Sequence, residues 1–455
     1  MLLIESNFTK YPEFKYTLET IFSDWLGIDF KQIHSNNAYI RIYRENGEEL
    51  KINSRFFKDY NFENYDDSYK KFLSKKNYLL SDNLSNKLCL ESIPMLFETD
   101  KKLNTNNSIN FIDLDIFGVI FFMLSRVEEF AADNFDNHDR FEGKNSLSFK
   151  MNFLDKPIVD IYIEILWEFL KKSFTGLKRK RYNFVKNISC DCDNPFLYHY
   201  KFKNLLKRSG GDLIYRKSPS LFIKSLKGIS SKSRSFSKDP FRKKIELIMH
   251  LNERVGNSVQ FNFIPHMTSE RYDGINYFNS SEVGILLDDV YKRGHKVGIH
   301  PGYRTYNNRE MLKISVDKFL SKPRTGDFDL KGRQHYLRWK VGVTDLLYED
   351  SNIKYDSSLG YADKGGFRCG TSKTFSIFSL KERKKLNLKE EPLHIMENTY
   401  FSGQYLDYKD RDTILEKMNY IKSWIKKLNG SLNLLWHNTS LFSDDEIEVY
   451  KYLIK

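Results

Sequence analysis

The chain has 455 residues, of which 40% are hydrophobic and 15% aromatic, and its formal net charge at pH 7 is +13. This length predicts two or three domains, and the composition excludes a disordered or fibrous chain because it supplies ample material for hydrophobic cores. Four cysteines are too few at this length for a disulfide framework. The N-terminus shows no cationic segment followed by an apolar stretch, and the longest strongly apolar run, 116–124, is too short to span a bilayer, so we expect a cytoplasmic protein.

The first part of the chain predicts a smaller domain of mixed α and β structure. DIFGVIFFMLSRVEEFAAD (115–133) is apolar on nearly all sides and predicts a buried helix. A polar loop rich in Asp, Asn and Gly follows at 136–143, and an amphipathic helix is predicted over 159–174. We place a domain boundary after the basic run KRKR at 178–181. The predicted domains are 1–181 and 182–455.

From residue 182 onward, short apolar strands alternate with amphipathic helices. The predicted helices include 280–294 and 408–430, and each predicted strand ends in a polar cluster. This alternation is typical of an α/β layer or barrel with parallel strands. In such folds the functional side chains collect at the carboxyl ends of the strands. The candidate residues at these ends are Asp191, Asp193, His266, His300 and His437.

The stretch ISCDCDNP (188–195) carries two aspartates two residues apart. Because residues two apart in a strand point to the same face, Asp191 and Asp193 are able to enter one pocket. A carboxylate combined with imidazoles is a ligand set for a first-row divalent metal. Taken alone, the stretch is better explained by an Asx-turn that ends a strand before Pro195, and it is the histidines at the other strand ends that favour a metal site.

The two cysteines of this stretch alternate with the aspartates. Cys190 and Cys192 should therefore face the opposite side of the strand, toward packed helices, as small buried side chains. Metal binding through sulfur would need a second pair of cysteines, and Cys89 and Cys369 are isolated in the sequence. We therefore expect a metal to be bound through oxygen and nitrogen.

From about residue 184 to its end, the sequence resembles the polysaccharide deacetylase superfamily, carbohydrate esterase family four. ISCDCDNP is similar to the first motif of this family, and GHKVGIHPGYRTY (294–306) is similar to the second. RQHY (333–336) is similar to the third motif, Arg-x-Pro-Tyr, with His335 in place of the proline, and LLWHN (434–438) is similar to the last. Residues 1–180 resemble the N-terminal domain of one bacterial branch of these deacetylases, whose members often occur among surface-polysaccharide biosynthesis proteins.

The resemblance implies a fold and a reaction. The fold would be α/β: an incomplete β/α barrel of the seven-stranded type, preceded by a smaller mixed α/β accessory domain. The reaction would be removal of an acetyl group, most often N-linked, from a sugar. The implied cofactor is a divalent metal ion, Zn2+ or another first-row divalent metal.

Roles carry over from the family motifs residue by residue. Asp191 would be the general base, and Asp193 and His300 would be metal ligands. Arg333 would orient Asp191, and the Tyr336 backbone N–H would help to bind the oxyanion. His437 would protonate the leaving amine. This set is chemically coherent, because a metal, a base, an acid and an oxyanion donor together perform amide hydrolysis.

The second motif departs from the family pattern. Arg304 occupies the position at which the family has its other metal-binding histidine, and an arginine does not ligate a metal. His335, His266 and Tyr303 are candidates for the third ligand, and we prefer His335 because it lies within the third motif. The candidates for the aspartate that supports His437 are Asp356 and Asp363.

Most of the positive charge lies in one segment. Residues 201–250 contain 14 Lys or Arg and only three acidic residues. A solvated face is the first explanation of such a run. The second is attraction to an anionic partner, either a sugar on a nucleotide or lipid-diphosphate carrier or a membrane surface. Nucleic-acid binding ranks last, because no nucleic-acid motif accompanies the charge.

Two alternatives on the same fold accompany the deacetylase hypothesis, and a third is a nucleic-acid-binding protein whose basic segment is the active part. The chain could be a catalytically impaired deacetylase fold that binds glycans, which Arg304 favours and the retained Asp191 and His437 oppose. It could also be an amide or ester hydrolase that acts on a non-sugar substrate.

Overall fold

The computed structural model of the protein describes residues 1–99, 110–197, 238–326 and 329–455. Most of the basic segment 201–250 lies outside these residues. Its end, from residue 238, leads into a helix that starts at Pro240.

The N-terminal part contains a five-stranded mixed sheet and a separate pair of strands. The strands are β1 (Leu2–Ser6), β2 (Phe30–His34), β3 (Ile40–Tyr43), β4 (Glu49–Ile52), β5 (Asn77–Leu79), β6 (Ser92–Pro94) and β7 (Phe111–Ile112). The strand order of the sheet is β2-β1-β3-β4-β7, and β5 pairs with β6. In β1 the side chains alternate between buried and partly exposed, as expected for a strand with one face on a core.

Helices cover this sheet. The α-helices are α1 (Pro12–Leu18), α2 (Arg55–Asp59), α3 (Asp82–Leu88), α4 (Ile116–Ser125), α5 (Val127–Phe130), α6 (Leu147–Lys150) and α7 (Ile158–Ser173). A π-helical segment, Glu19–Leu26, continues α1, and three short 3-10 helices are Asn7–Lys10, Asp67–Phe72 and Gly143–Asn145. Helix α4 is buried on all sides, as predicted.

The helix predicted over 115–133 is interrupted at Arg126. This residue has a left-handed backbone, with φ of 58°, and it separates α4 from α5. The guanidinium of Arg126 binds back to the Met123 carbonyl oxygen at 3.0 Å and to Glu129 Oε1 at 2.9 Å. These contacts stabilise the left-handed backbone of Arg126, which the apolar pattern of the sequence does not predict.

The C-terminal part is built on a nine-stranded sheet. Its strands are β8 (Val185–Cys192), β9 (Val259–Phe263), β10 (Lys296–Ile299), β11 (Lys331–Gly332), β12 (Tyr355–Asp356), β13 (Phe375–Ser379), β14 (Lys384–Glu390), β15 (Ile395–Met396) and β16 (Ser431–His437). Its α-helices are α8 (Pro240–Glu253), α9 (Ser281–Lys292), α10 (Arg309–Leu320), α11 (Thr344–Asp350), α12 (Glu397–Phe401), α13 (Arg411–Lys427) and α14 (Asp444–Ile454). Two 3-10 turns are Thr305–Asn307 and His335–Leu337.

The strand order of this sheet is β13-β14-β12-β11-β10-β9-β8-β16-β15. All neighbours pair in parallel except β13 and β14, which are antiparallel. Among the described residues, no pairing joins the two edge strands, β13 and β15. The α/β class with parallel strands is thus observed, whereas closure into a seven-stranded barrel stays a prediction.

The N-terminal and C-terminal parts share a hydrophobic core. One cluster of buried side chains runs from Leu2 to Ile454. Across the junction, the Tyr16 hydroxyl donates to the Ser376 carbonyl oxygen at 2.7 Å, and the rings of Phe121 and Phe378 lie 5.4 Å apart. The boundary at residues 181 and 182 stays a prediction, as does an accessory domain that is separate from the rest. No helix in the described ranges is long and apolar enough to cross a membrane.

Candidate metal centre and active site

Three neighbouring parallel strands bring the first polar groups of the site together. In the strand register, Asp191 of β8 lies opposite His437 of β16 on one side and opposite Asn262 of β9 on the other. Asp193 follows the end of β8 directly, and His300 follows the end of β10. Since the strands are parallel, their carboxyl ends meet at one edge of the sheet, which is the edge the sequence predicted.

Asp193, His300 and His335 form a group that could hold a metal ion. One ligand atom from each of these residues lies within 4.8 Å of the others. His300 Nε2 is 3.3 Å from Asp193 Oδ1, and His335 Nε2 is 3.7 Å from the same oxygen. Both histidines are buried, and one carboxylate with two imidazoles suits a first-row divalent ion.

The surroundings of these ligand atoms fit a metal. The other ring nitrogen of each histidine is held, because His300 Nδ1 lies 2.5 Å from the Arg333 carbonyl oxygen and His335 Nδ1 lies 2.7 Å from Asp273 Oδ1. These contacts direct both Nε2 atoms toward Asp193, as outer contacts do in metal sites. Asp193 Oδ1 and His300 Nε2 are buried and have no hydrogen-bond partner of suitable geometry in the described chain. A cation would satisfy both.

Asp191 is held as a carboxylate. Its Oδ1 accepts from Asn262 Nδ2 at 2.7 Å and from Arg333 Nη1 at 2.9 Å. Burial disfavours the charged form, but the positive charge of Arg333, with a further contribution from His300, lowers the pKa of Asp191 below its ordinary value. Asp191 Oδ2 faces the metal group, 3.7 Å from His300 Nε2.

Arg333 is a buried anchor. Besides Asp191, its guanidinium donates to Ser189 Oγ at 2.8 Å and to the Ser357 carbonyl oxygen at 3.0 Å. The Arg333 side chain is only 2% exposed, and the Asp191 carboxylate compensates its buried positive charge. The resulting contact between Arg333 and Asp191 is the one that the family resemblance implies.

His437 is supported by Glu397. Glu397 Oε1 lies 2.7 Å from His437 Nδ1 and also accepts the His437 backbone N–H at 3.0 Å. Burial works against the charged imidazole, but Glu397, together with Asp193 and Asp191, raises the pKa of His437 to about 10. The Nε2 atom therefore carries a proton at neutral pH and lies 4.0 Å from Asp193 Oδ2.

The expectation that Asp356 or Asp363 supports His437 is wrong. Asp356 accepts from Ser358 Oγ at 2.6 Å on another strand end. Asp363 accepts the backbone N–H groups of Gly143 and Lys144 in the N-terminal part. Both carboxylates are occupied elsewhere, so neither one orients the imidazole.

Tyr336 lies in a strained turn next to His335. Its backbone is left-handed, with φ of 63°, which costs free energy for a residue with a side chain. A strained turn next to a candidate metal ligand is a place where a backbone N–H can serve as an oxyanion donor.

The other candidates for the third ligand lie outside the metal group. His266 Nδ1 contacts Lys318 Nζ at 3.0 Å, and the Tyr303 hydroxyl contacts His138 Nδ1 at 2.9 Å. Arg304 is exposed. His335, the candidate that the sequence analysis preferred, is the one that the structure places with Asp193 and His300.

The two cysteines of β8 are fully buried in the hydrophobic core, as predicted. Their sulfur atoms lie 3.9 Å apart. Burial raises the pKa of both thiols, so the thiolate form that binds metals is disfavoured.

Three residues that orient the site were not predicted from the sequence: Asn262, Asp273 and Glu397. Two of them carry a recognisable signal in the sequence. Asn262 is a polar residue within an apolar strand, and Glu397 directly follows a short buried strand. Asp273 lies in a loop without a motif, and only the folded chain shows its contact with His335.

Comparisons with known proteins add little on function. Residues 2–175 match a family of unknown function, DUF7033. No curated protein matches the chain. A crystal structure of a Mycobacterium smegmatis protein, provisionally described as a polysaccharide deacetylase, matches with a TM-score of 0.39 and 10% identity over 60% of this chain and 84% of that chain. A similarity of this degree assigns no activity to this chain.

Proposed function

We propose that this protein is a metal-dependent deacetylase that removes an acetyl group from a sugar by hydrolysis, with an N-acetyl group as the preferred substrate. The observation that carries the proposal is one constellation of side chains. The possible metal group of Asp193, His300 and His335 lies beside a carboxylate held by Arg333 and an imidazole held by Glu397. Purely structural roles do not require these groups to converge at one sheet edge.

The groups divide the reaction between them. Asp193, His300 and His335 would hold a divalent cation, which would supply Lewis acidity and lower the pKa of water at the site. Asp191 Oδ2 takes the proton of the attacking water, since Oδ1 is occupied by Arg333 and Asn262.

The second half of the reaction requires an acid and an oxyanion donor. His437 donates its Nε2 proton to the leaving amine, because Glu397 keeps the imidazole protonated at neutral pH. The Tyr336 N–H supports the oxyanion of the tetrahedral intermediate. The preferred metal in this proposal is Zn2+, because the donor set combines one carboxylate with two imidazoles.

The substrate part of the proposal rests on the family resemblance of the motifs. We place the sugar in surface polysaccharide or glycoconjugate biosynthesis, with an anionic nucleotide or lipid-diphosphate carrier as the partner of the basic segment 201–250. Peripheral contact of this segment with a membrane and a cytoplasmic location belong to the same proposal.

Two other functions use parts of the same constellation. A glycan-binding protein without turnover is favoured by Arg304, which replaces a ligand histidine of the family. A hydrolase for a non-sugar amide or ester is compatible with the same acid, base and metal group. Measurements of metal content and of the released products distinguish these two functions from a deacetylase.

Metal content tests the proposal first. Protein incubated with zinc and then dialysed should contain about one ion per chain by elemental analysis, and Asp193→Ala and His300→Ala should each lose it. His250→Ala, which changes an exposed histidine on α8, is the matched control and should retain the ion. Wild-type protein without metal would contradict the enzyme proposal. Metal-loaded protein that releases acetate from small esters but not from N-acetylated sugars would favour the non-sugar hydrolase.

A further inference from the structure

A loop of the N-terminal part reaches the candidate active site. In the 136–143 loop, the His138 carbonyl oxygen accepts from Arg338 Nε at 2.7 Å, and Asp139 Oδ2 accepts from Arg338 Nη2 at 2.6 Å. The Tyr306 hydroxyl also donates to Asp139 Oδ2 at 2.8 Å. Tyr306 is the last residue of the second motif and Arg338 lies two residues after the third, so the loop is bonded to the segments that carry His300 and His335.

Arg140 of this loop holds the strained turn at Tyr336. Its guanidinium is buried, pairs with Asp136 at 2.7 Å and donates to the Tyr336 carbonyl oxygen at 3.2 Å. It also donates to the Tyr405 hydroxyl at 3.3 Å. Because Tyr336 directly follows His335, Arg140 fixes a turn that carries a candidate metal ligand and a candidate oxyanion donor.

A row of aromatic rings leads outward from the metal group to the same loop. The rings of His335 and Tyr336 are 4.8 Å apart, and those of Tyr336 and His138 are also 4.8 Å apart. Tyr272 closes the row, 5.3 Å from His138 and 5.5 Å from Tyr336. His138, Tyr272 and Tyr336 are only half-buried, unlike the fully packed aromatic contacts of the core.

We propose that the N-terminal part completes the active site, with the 136–143 loop forming a wall on which a sugar ring of the substrate lies. This inference deepens the proposed function and rests on it for the position of the acetyl group. A pyranose ring offers an apolar C–H face and hydroxyl edges, and partly exposed rings with polar edges are complementary to both. His138 Nδ1 is engaged by the Tyr303 hydroxyl at 2.9 Å, so Nε2 is the nitrogen that meets a sugar hydroxyl.

The proposal gives two residues of the loop different roles. His138 is a binding residue that contacts the sugar next to the reacting acetyl group, since only the Tyr336 ring lies between its ring and that of His335. Arg140 is a positioning residue that acts through the Tyr336 turn. A loop that served only to join the two parts of the chain would need Arg338 and Asp139 but not the half-exposed rings.

The first test compares His138→Ala with Asn137→Ala, which changes the exposed neighbour in the same loop. The probe is the N-acetylglucosamine tetramer, with acetate release measured on the metal-loaded full chain. For His138→Ala we expect KM to rise about tenfold while kcat changes by less than about twofold, because a stacking contact is lost without a change at the reacting atoms. Asn137→Ala should match the wild type. Equal KM values in the two variants would overturn the proposal.

Tyr272→Leu is the second variant, in case His138→Ala disturbs the loop. It keeps an apolar side chain but removes the ring, and we again expect an increase in KM. Arg140→Lys and Arg140→Ala distinguish positioning of the Tyr336 turn by the Arg140 charge from simple packing of the side chain. The lysine variant should recover part of the kcat that the alanine variant loses, whereas identical losses in both would contradict the positioning role.

A binding measurement tests contact between the sugar and the 136–143 loop without requiring catalytic turnover. In the Asp191→Asn background, saturation-transfer NMR with the same tetramer should show contact with the sugar C–H protons that His138→Ala weakens and Asn137→Ala does not. If wild-type protein releases acetate from 4-nitrophenyl acetate but the tetramer does not bind, the sugar wall is wrong and the hydrolase chemistry stands. If the tetramer binds through His138 but no acetate is ever released, the proposed function is wrong and the wall stands.

Discussion

Glu397 and His437 form a partly buried pair across the ends of two adjacent parallel strands, with Glu397 Oε1 2.7 Å from His437 Nδ1. The same carboxylate oxygen accepts from Ser440 Oγ at 3.0 Å. Because the carboxylate fixes Nδ1 and stabilises the imidazolium, the pair keeps a proton on Nε2 at neutral pH. In the proposed reaction, this protonated imidazole would serve as the general acid for the leaving amine.

Glu397→Gln should shift the pH dependence of the reaction. The general acid must be protonated, so activity falls as pH rises through the pKa of His437, which Glu397 raises toward about 10. Without the carboxylate charge this pKa falls, and the alkaline limb of kcat/KM should move to lower pH by about one unit or more. At pH 10 we therefore expect kcat/KM to fall by at least about fivefold, whereas near pH 7 the change should be small. The measurement is acetate release from pH 6 to pH 10.

Asp363→Asn is the control for this experiment. Its carboxylate holds backbone N–H groups of the N-terminal part rather than the imidazole, so the alkaline limb should stay in place. A shift in Asp363→Asn with none in Glu397→Gln would reverse the assignment.

Asp191→Asn should abolish acetate release and leave the metal bound. The amide keeps the shape of the side chain but provides no basic oxygen, and the possible ligands Asp193, His300 and His335 are unchanged. We expect a decrease of at least about 100-fold in kcat, with metal content by elemental analysis equal to that of the wild type. Activity equal to the wild type would exclude Asp191 as the base.

Asp273→Asn should weaken metal binding about 10- to 100-fold, since the Asp273 carboxylate orients His335 through Nδ1 at 2.7 Å. Competition with a chromophoric zinc chelator measures this affinity. His266→Ala is the matched control, because His266 faces Lys318 and lies outside the metal group. If His266→Ala loses the metal while His335→Ala retains it, the third ligand is His266.

Much of the site was predictable because the strand ends are encoded locally. Apolar runs followed by polar residues predicted β8, β9, β10 and β16, and parallel pairing then brought Asp191, His300 and His437 to one edge. Their roles in catalysis stay predictions. The pattern worked because it needs only neighbouring residues in the chain and a general property of parallel sheets.

The supporting residues were less predictable because their roles depend on contacts distant in sequence. Asp356 and Asp363, not Glu397, were the expected partners of His437. Glu397 nevertheless directly follows β15, which pairs with β16, the strand of His437. At the break, Arg126 contacts Glu129 and the Tyr361 hydroxyl of the C-terminal part, and an apolar pattern reveals neither contact. The relation of the 136–143 loop to the third motif involves residues almost 200 positions apart.

Glu129→Gln should strongly destabilise the protein, because Glu129 joins the two parts of the chain through buried charges. Its carboxylate lies 2.8 Å from Arg126 and 2.6 Å from Arg368, and all three side chains are at most 3% exposed. The glutamine has the same shape but leaves both guanidinium groups without a compensating charge. We expect the free energy of unfolding to fall by about 3 to 5 kcal/mol, measured by urea denaturation with tryptophan fluorescence. Asp412→Asn, which changes an exposed ion pair with Arg411, should leave the midpoint nearly unchanged. Equal midpoints for the two variants would show that this buried cluster does not stabilise the junction.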